Sequence, residues 1–209
     1  MKASRDAWAF DATAGHYIGA GKWWATELTH GTGGNIMRSL GVLLLVFWAS
    51  TFFASALRRW RHPAGFLILS IALGTGTVSL LKQTTNVDCP RSLAEFGGRE
   101  PYVDLFSPRP DSLPRARCFP GGHSSSGFAL FALYCLCLAR ISLALALCVG
   151  GTFAFAQEAR GAHFLSHDIW SAAIVWFACL GIFSFGYRGE VWETGRSRYT
   201  ADSVRDLPP

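Results

Sequence analysis

Five runs of this chain carry no charged side chain: residues 39–57, 64–81, 124–139, 141–157 and 169–187. Each is close to the ~20 residues a helix needs to cross a hydrocarbon core, the third and fourth falling a little short. One such run can be a buried core helix of a soluble protein, but five in 209 residues cannot be hidden that way. Composition agrees: only 16% of residues are charged, against roughly 25% in an average soluble domain, and the mean hydropathy is +0.25. The expected fold class is all-α, a polytopic transmembrane bundle of about five spanning helices.

The distribution of charge orients the bundle. Arg58, Arg59 and Arg61 lie between the first two runs, Arg140 between the third and fourth, and Arg188, Arg196, Arg198 and Arg205 after the last. By the positive-inside tendency these regions are cytoplasmic. The connections 83–123 and 158–168 then face the other side, and the polar residues of chemical interest lie on them. The basic residues flank spans and interleave with few aromatics, so they read as topological signals and no nucleic-acid partner is expected. Trp23, Trp24, Trp60, Trp170 and Trp192 fall near the predicted interfaces, as an aromatic belt requires. Three regions follow: an outer or interfacial segment (1–35), a transmembrane core (36–187) and a cytoplasmic tail (188–209).

Residues 1–35 lack a basic segment followed by an apolar one, so no cleavable signal peptide is expected. The segment reaches the outer side either by translocation with the first span or through an upstream helix. Its KWWATEL stretch has the composition of a short helix on the membrane surface. Cys135, Cys137, Cys148 and Cys179 lie within the apolar runs and read as small buried hydrophobes. Cys89 and Cys118 share the long outer connection, where an oxidising compartment permits a disulfide.

Three polar clusters lie on the outer side. The first, LLKQTTNVDCPRS, holds Lys82 and Arg91; alone, Lys82 reads as a side chain reaching up to the headgroups. The second, CFPGGHSSSGF, leads through Gly121 and Gly122 into His123 at a helix start, where free N–H groups and the helix dipole favour an anion. The third, ARGAHFLSHDIW, holds Arg160, His163, His167 and Asp168. His163 and His167 at this spacing share a helical face and form a candidate metal pair, or Asp168 simply opens a helix. Convergence decides between these readings. A ring of Lys and Arg repels a metal cation and suits a phosphate group, so no metal and no cofactor is expected. One neutral histidine then attacks phosphorus while a carboxylate fixes its tautomer, and a second protonates the leaving group. The cations neutralise the equatorial oxygens.

These residues resemble the type-2 phosphatidic acid phosphatase superfamily, whose motifs run Lys-x6-Arg-Pro, Pro-Ser-Gly-His and Ser-Arg-x5-His-x3-Asp. The likeness covers roughly residues 36–187. Lys82 and Pro90 match the first motif, but Cys89 occupies the arginine position and Arg91 is its candidate replacement. Pro120, Gly121, Gly122 and His123 match the second, with Gly121 in place of serine; the resemblance makes His123 the general acid. In the third, Gly161-Ala162-His163 favours His163 as nucleophile, with His167 the alternative. Asp168 then lies five residues on instead of four, and Gln157 stands where the family has arginine, with Arg160 closer to the histidine. The substrate contacts implied are Lys82, Arg91, Gly121, Gly122, Arg160 and His167. The family usually has six spans, the first being the one not seen here.

The implied activity is phosphatase action through a phosphohistidine on a lipid phosphate or diphosphate, at the outer face of a bacterial inner membrane. Undecaprenyl diphosphate, phosphatidylglycerophosphate, phosphatidic acid and lipid A phosphate are the candidate substrates. A lipid-to-lipid phosphotransferase uses the same site. A metal-dependent enzyme on His163, His167 and Asp168, and a non-catalytic lipid-phosphate binder, are the other classes.

Overall fold

An uncharged run rich in Leu, Ala and Phe turns helical where water is excluded, because a helix closes its backbone hydrogen bonds within itself. In the computed structural model, which describes residues 8–104 and 107–187, six α-helices form. They are α1 (Gly34–Ser50), α2 (Arg61–Thr84), α3 (Gly122–Phe128), α4 (Phe131–Cys137), α5 (Arg140–Ala159) and α6 (Leu165–Ile182). The expected cytoplasmic tail, 188–209, lies outside the described residues.

Among the described residues four helices are long and apolar enough to cross a membrane: Trp24–Ser50, Ser55–Thr84, Arg140–Ala159 and Leu165–Gly186. Their outward faces carry exposed Leu43, Val46, Leu69, Leu80, Ile141 and Phe177, the surface a lipid-facing helix presents. The protein is an all-α polytopic membrane bundle.

The third uncharged run departs from the expected five spans. Residues 124–139 fold as two short helices, α3 and α4, broken at Ala129–Leu130. The hydroxyls of Ser124, Ser125 and Ser126 turn back onto the carbonyls of Gly121, Gly122 and His123. These bonds lie in the first turn of α3; at the break itself the backbone tightens to three-residue bonds, Leu130 N–H donating to the Gly127 carbonyl at 3.3 Å and Ala132 N–H to the Ala129 carbonyl at 3.1 Å. The broken segment is enclosed by its neighbours: Phe128, Ala129, Phe131, Ala132 and Cys135 join Phe66, Ala146, Val175 and Cys179 in the main core. A Cβ on Gly127 would lie 2.7 Å from the Gly150 Cα, so α3 and α5 approach through a pair of glycines. Cys135 and Cys179 are buried as expected, but Cys137 and Cys148 lie on outward helix faces and are exposed.

The first span also begins earlier than its charge-free run. A wide-turned π-helical stretch, Trp24–Gly33, runs without interruption into α1, so KWWATEL does not form a separate surface helix. Threonine hydroxyls turn back onto preceding carbonyls, Thr26 Oγ1 donating to Lys22 at 2.9 Å and Thr29 Oγ1 to Ala25 at 3.0 Å, as is common where a helix departs from regular geometry. At its other end α1 stops at Ser50, before the uncharged run ends at Leu57, and a 3-10 turn, Ser55–Trp60, follows. Arg61 closes this corner, donating to the Thr51 carbonyl at 2.7 Å while its guanidinium lies 4.1 Å from the Phe52 ring centroid.

Outside the bundle a second small core caps the end where the polar clusters meet. A two-stranded hairpin, β1 (Phe10–Asp11) with β2 (His16–Tyr17), packs Ala9 and Tyr17 against Leu93, Phe96 and Phe164. Trp8 fastens it, donating Nε1–H to Glu158 at 2.9 Å.

Candidate active site

The long connection between α2 and α3 is tied down at several points. Cys89 and Cys118 form a disulfide, and Cys118 N–H donates to the Val87 carbonyl at 3.0 Å. Asp88 accepts two hydrogen bonds from Arg109, at 2.5 and 2.9 Å; this buried pairing holds the Arg109 guanidinium above its ordinary pKa. Two further bonds join the three clusters. Arg91 N–H donates to the Gly161 carbonyl at 2.9 Å, and Gly121 N–H donates to the His167 carbonyl at 3.1 Å. The Ser171 hydroxyl donates to the Gly121 carbonyl at 2.8 Å, fixing the glycine turn on α6.

At the junction His163 Nδ1 lies 2.9 Å from Asp168 Oδ1, with both side chains almost fully buried. The five-residue spacing is accommodated by one extended residue. Phe164 has φ −84° and ψ 155°, α6 starts immediately after it, and Asp168 sits in the first turn, close under His163. A carboxylate there is also favoured by the helix dipole. Asp168 Oδ1 additionally accepts the hydroxyl of Ser124. Because Nδ1 donates to this carboxylate, the Nε2 lone pair of His163 is left available.

Glycine is obligatory at 121. A Cβ there would lie 2.2 Å from Asp168 Oδ1, 2.6 Å from Ser124 Oγ and 2.9 Å from His163 Nδ1. The glycine in the usual serine position and the displaced aspartate are therefore one coupled change: the room a serine side chain would take is filled by Asp168. Gly122 lies beneath Lys82, whose Nζ would stand 3.5 Å from a Cβ at that position.

The predicted cations converge around this pair. Lys82 is within electrostatic reach of Asp168, and Arg160 of Arg91. Burial, followed by the Arg91 charge, holds Arg160 below the ordinary guanidinium pKa, and its Nε has no hydrogen-bond partner among the described residues. His123 stands just ahead of the third apolar run. Burial first, then His30, His163, Arg160 and Lys82, push its imidazole down to about 4. An anion placed among these groups relieves the repulsive part of this shift.

His167, expected among the phosphate contacts, is placed differently. Its ring is buried, 5.3 Å from Phe119 and 5.4 Å from Phe164 between centroids, and it hydrogen-bonds the Cys118 backbone. Asp168 is engaged by His163 and Ser124, and no group of three His, Cys, Asp or Glu arranged to hold a metal occurs among the described residues. Two residues enter that the sequence reasoning did not assign. Ser124, read as a helix cap, turns its hydroxyl onto Asp168. His30, from the N-terminal π-helical stretch, has its ring centroid 4.0 Å from that of His123. No motif or spacing marks His30; its placement depends on the whole N-terminal segment folding back over α5.

Fold and site together define an integral membrane protein with a buried His–Asp pair inside a ring of cations, an arrangement suited to a phosphate ester. The PAP2 superfamily model matches residues 63–189, more than half of the chain. The chain belongs to the PAP2 superfamily, whose members are phosphatases acting on phosphate esters, often of lipids. No curated protein and no solved structure matches it.

Proposed function

We propose that this protein hydrolyses the phosphate or diphosphate of a membrane lipid at the outer face of a bacterial inner membrane, through a phosphohistidine on His163. The observation that carries this reading is the His163–Asp168 bond of 2.9 Å among Lys82, Arg91, Arg160 and His123. Asp168 holds the proton on Nδ1, so Nε2 attacks phosphorus. The bond from phosphorus to the leaving oxygen breaks, its electron pair stays on that oxygen, and His123 supplies a proton to it. Lys82, Arg91, Arg160 and the backbone N–H groups of Gly122 and His123 at the start of α3 neutralise the charge on the phosphoryl oxygens. Water, its proton taken by His123, then cleaves the P–N bond. No step as written draws on a metal or cofactor. His167 packs the turn from behind and does not touch phosphate.

Purified protein is expected to release phosphate from at least one lipid phosphate or diphosphate, and labelling quenched in alkaline detergent should find an acid-labile, base-stable phosphoryl group on His163. Release of phosphate with label on another residue, or without any phosphoenzyme, would overturn the assignment.

Turnover is expected to depend on pH through His123. His123 must be protonated to act as acid, and in the empty site its pKa lies near 4. The alkaline limb of kcat/KM, which reports the free enzyme, therefore falls at low pH. A bound phosphate dianion offsets the surrounding cations and raises the imidazole pKa, so the alkaline limb of kcat is expected at higher pH. Initial rates across pH, at low and at saturating substrate, check the separation; coincident limbs count against His123 as the acid.

A further inference from the structure

The PAP2 match begins at residue 63, so His30 belongs to a part of the chain outside it. Its ring is nevertheless held from two sides. Nδ1 is 3.2 Å from the side-chain nitrogen of Gln157, and the ring leans on His123 with a centroid separation of 4.0 Å and a tilt of 56°. Gln157 is 3% exposed and stands six residues before His163, the place of an arginine in the family pattern. An amide nitrogen only donates, so Nδ1 accepts and the ring carries its proton on Nε2. That N–H belongs to a ring packed on the general acid and within electrostatic reach of Arg160, Arg91, His163 and Lys82.

Resting on the phosphatase reading, we propose that His30 contacts the leaving group and selects for diphosphate esters, its Nε2–H donating to an oxygen of the phosphate that departs. The general acid stands at the bond that breaks, so a group packed on it meets the departing half of the substrate. An alcohol leaving group offers a single oxygen, which His123 protonates. A departing phosphate offers further anionic oxygens. In the diphosphate reaction the terminal phosphorus passes to His163, the bridging oxygen keeps the electron pair and takes the His123 proton, and His30 retains its own. Its hydrogen bond strengthens as charge gathers on the leaving phosphate, so the contact favours the transition state.

The test compares farnesyl diphosphate with farnesyl monophosphate, which share one lipid chain, in detergent micelles with the full chain. His30→Ala is expected to lower kcat/KM on the diphosphate by about 10- to 100-fold, the worth of one hydrogen bond to a charged oxygen. That loss should exceed the loss on the monophosphate at least about tenfold. Gln157→Leu leaves His30 in place but removes the donor that holds Nδ1 as the acceptor, so the ring proton is no longer fixed on Nε2. It should shift the diphosphate-to-monophosphate ratio in the same direction, and it keeps the inference testable if His30→Ala fails to fold. Equal losses on the two substrates in both variants, or an unchanged ratio, overturn the inference while leaving the phosphatase reading intact. A wild-type protein that turns over neither substrate overturns the phosphatase reading and this inference with it.

Discussion

His163→Ala is expected to abolish phosphate release, a fall of at least about 10⁴-fold in kcat, whereas His167→Ala should leave turnover per folded molecule within about tenfold of wild type. Both residues precede or open α6 and both are buried, so neither burial nor position separates them. The distinction lies in their partners. His163 has the carboxylate at 2.9 Å, which orients the ring and stabilises the charge formed when Nε2 becomes phosphorylated. His167 is enclosed by Phe119 and Phe164, with no carboxylate on its ring: one hydrogen bond goes to the Cys118 backbone and Nδ1 has no partner among the described residues. Its removal opens a cavity and leaves a backbone group unpaired, which lowers stability by about 2–4 kcal/mol. Initial rates corrected for the folded fraction, beside thermal melts of both variants, separate the two outcomes. Loss of turnover on His167→Ala with an unchanged melt would reverse the assignment.

Gly121→Ser restores the residue usual in the family and is expected to destroy activity. In most proteins a change toward the family pattern is neutral or stabilising. Here a Cβ would stand 2.2 Å from Asp168 Oδ1 and 2.9 Å from His163 Nδ1. The turn cannot retreat, because its N–H is bonded to the His167 carbonyl and its carbonyl accepts from Ser171. Asp168 must therefore move, and His163 loses the partner that fixes its tautomer. Loss of such a partner lowers kcat by about 10⁴-fold. Wild-type-like turnover in Gly121→Ser, measured on the best lipid substrate, would show that Asp168 does not orient the nucleophile.

Much of the architecture was legible in residue types. Uncharged runs located four long helices, because a membrane span is dictated by composition over ~20 residues and needs no knowledge of its neighbours. The break in the third run was harder to see, since it lies just past the point where Gly127 meets Gly150 from another helix, a contact no local pattern announces. Lys82, His123, Arg160 and His163 were legible through their spacing and common side. Asp168 was recognisable as out of register, but only the extended Phe164 between His163 and α6 shows why the longer spacing still closes on the histidine. His30 left no trace in local pattern. It reaches the site because the hairpin, Trp8 and Gly19 attach the N-terminal segment to the end of α5, Gly19 N–H donating to the Ala159 carbonyl at 2.8 Å.

The helix that carries His30 has little of its surface inside the protein: its apolar window is 6% buried, against 33% for the span that follows. Gly33 touches Phe153, Gly34 touches His123, and most of the remaining length faces outward. Along most of its length this helix therefore meets its surroundings and not its neighbours, and His30 is held by the packing at its inner end, on His123 and Gln157.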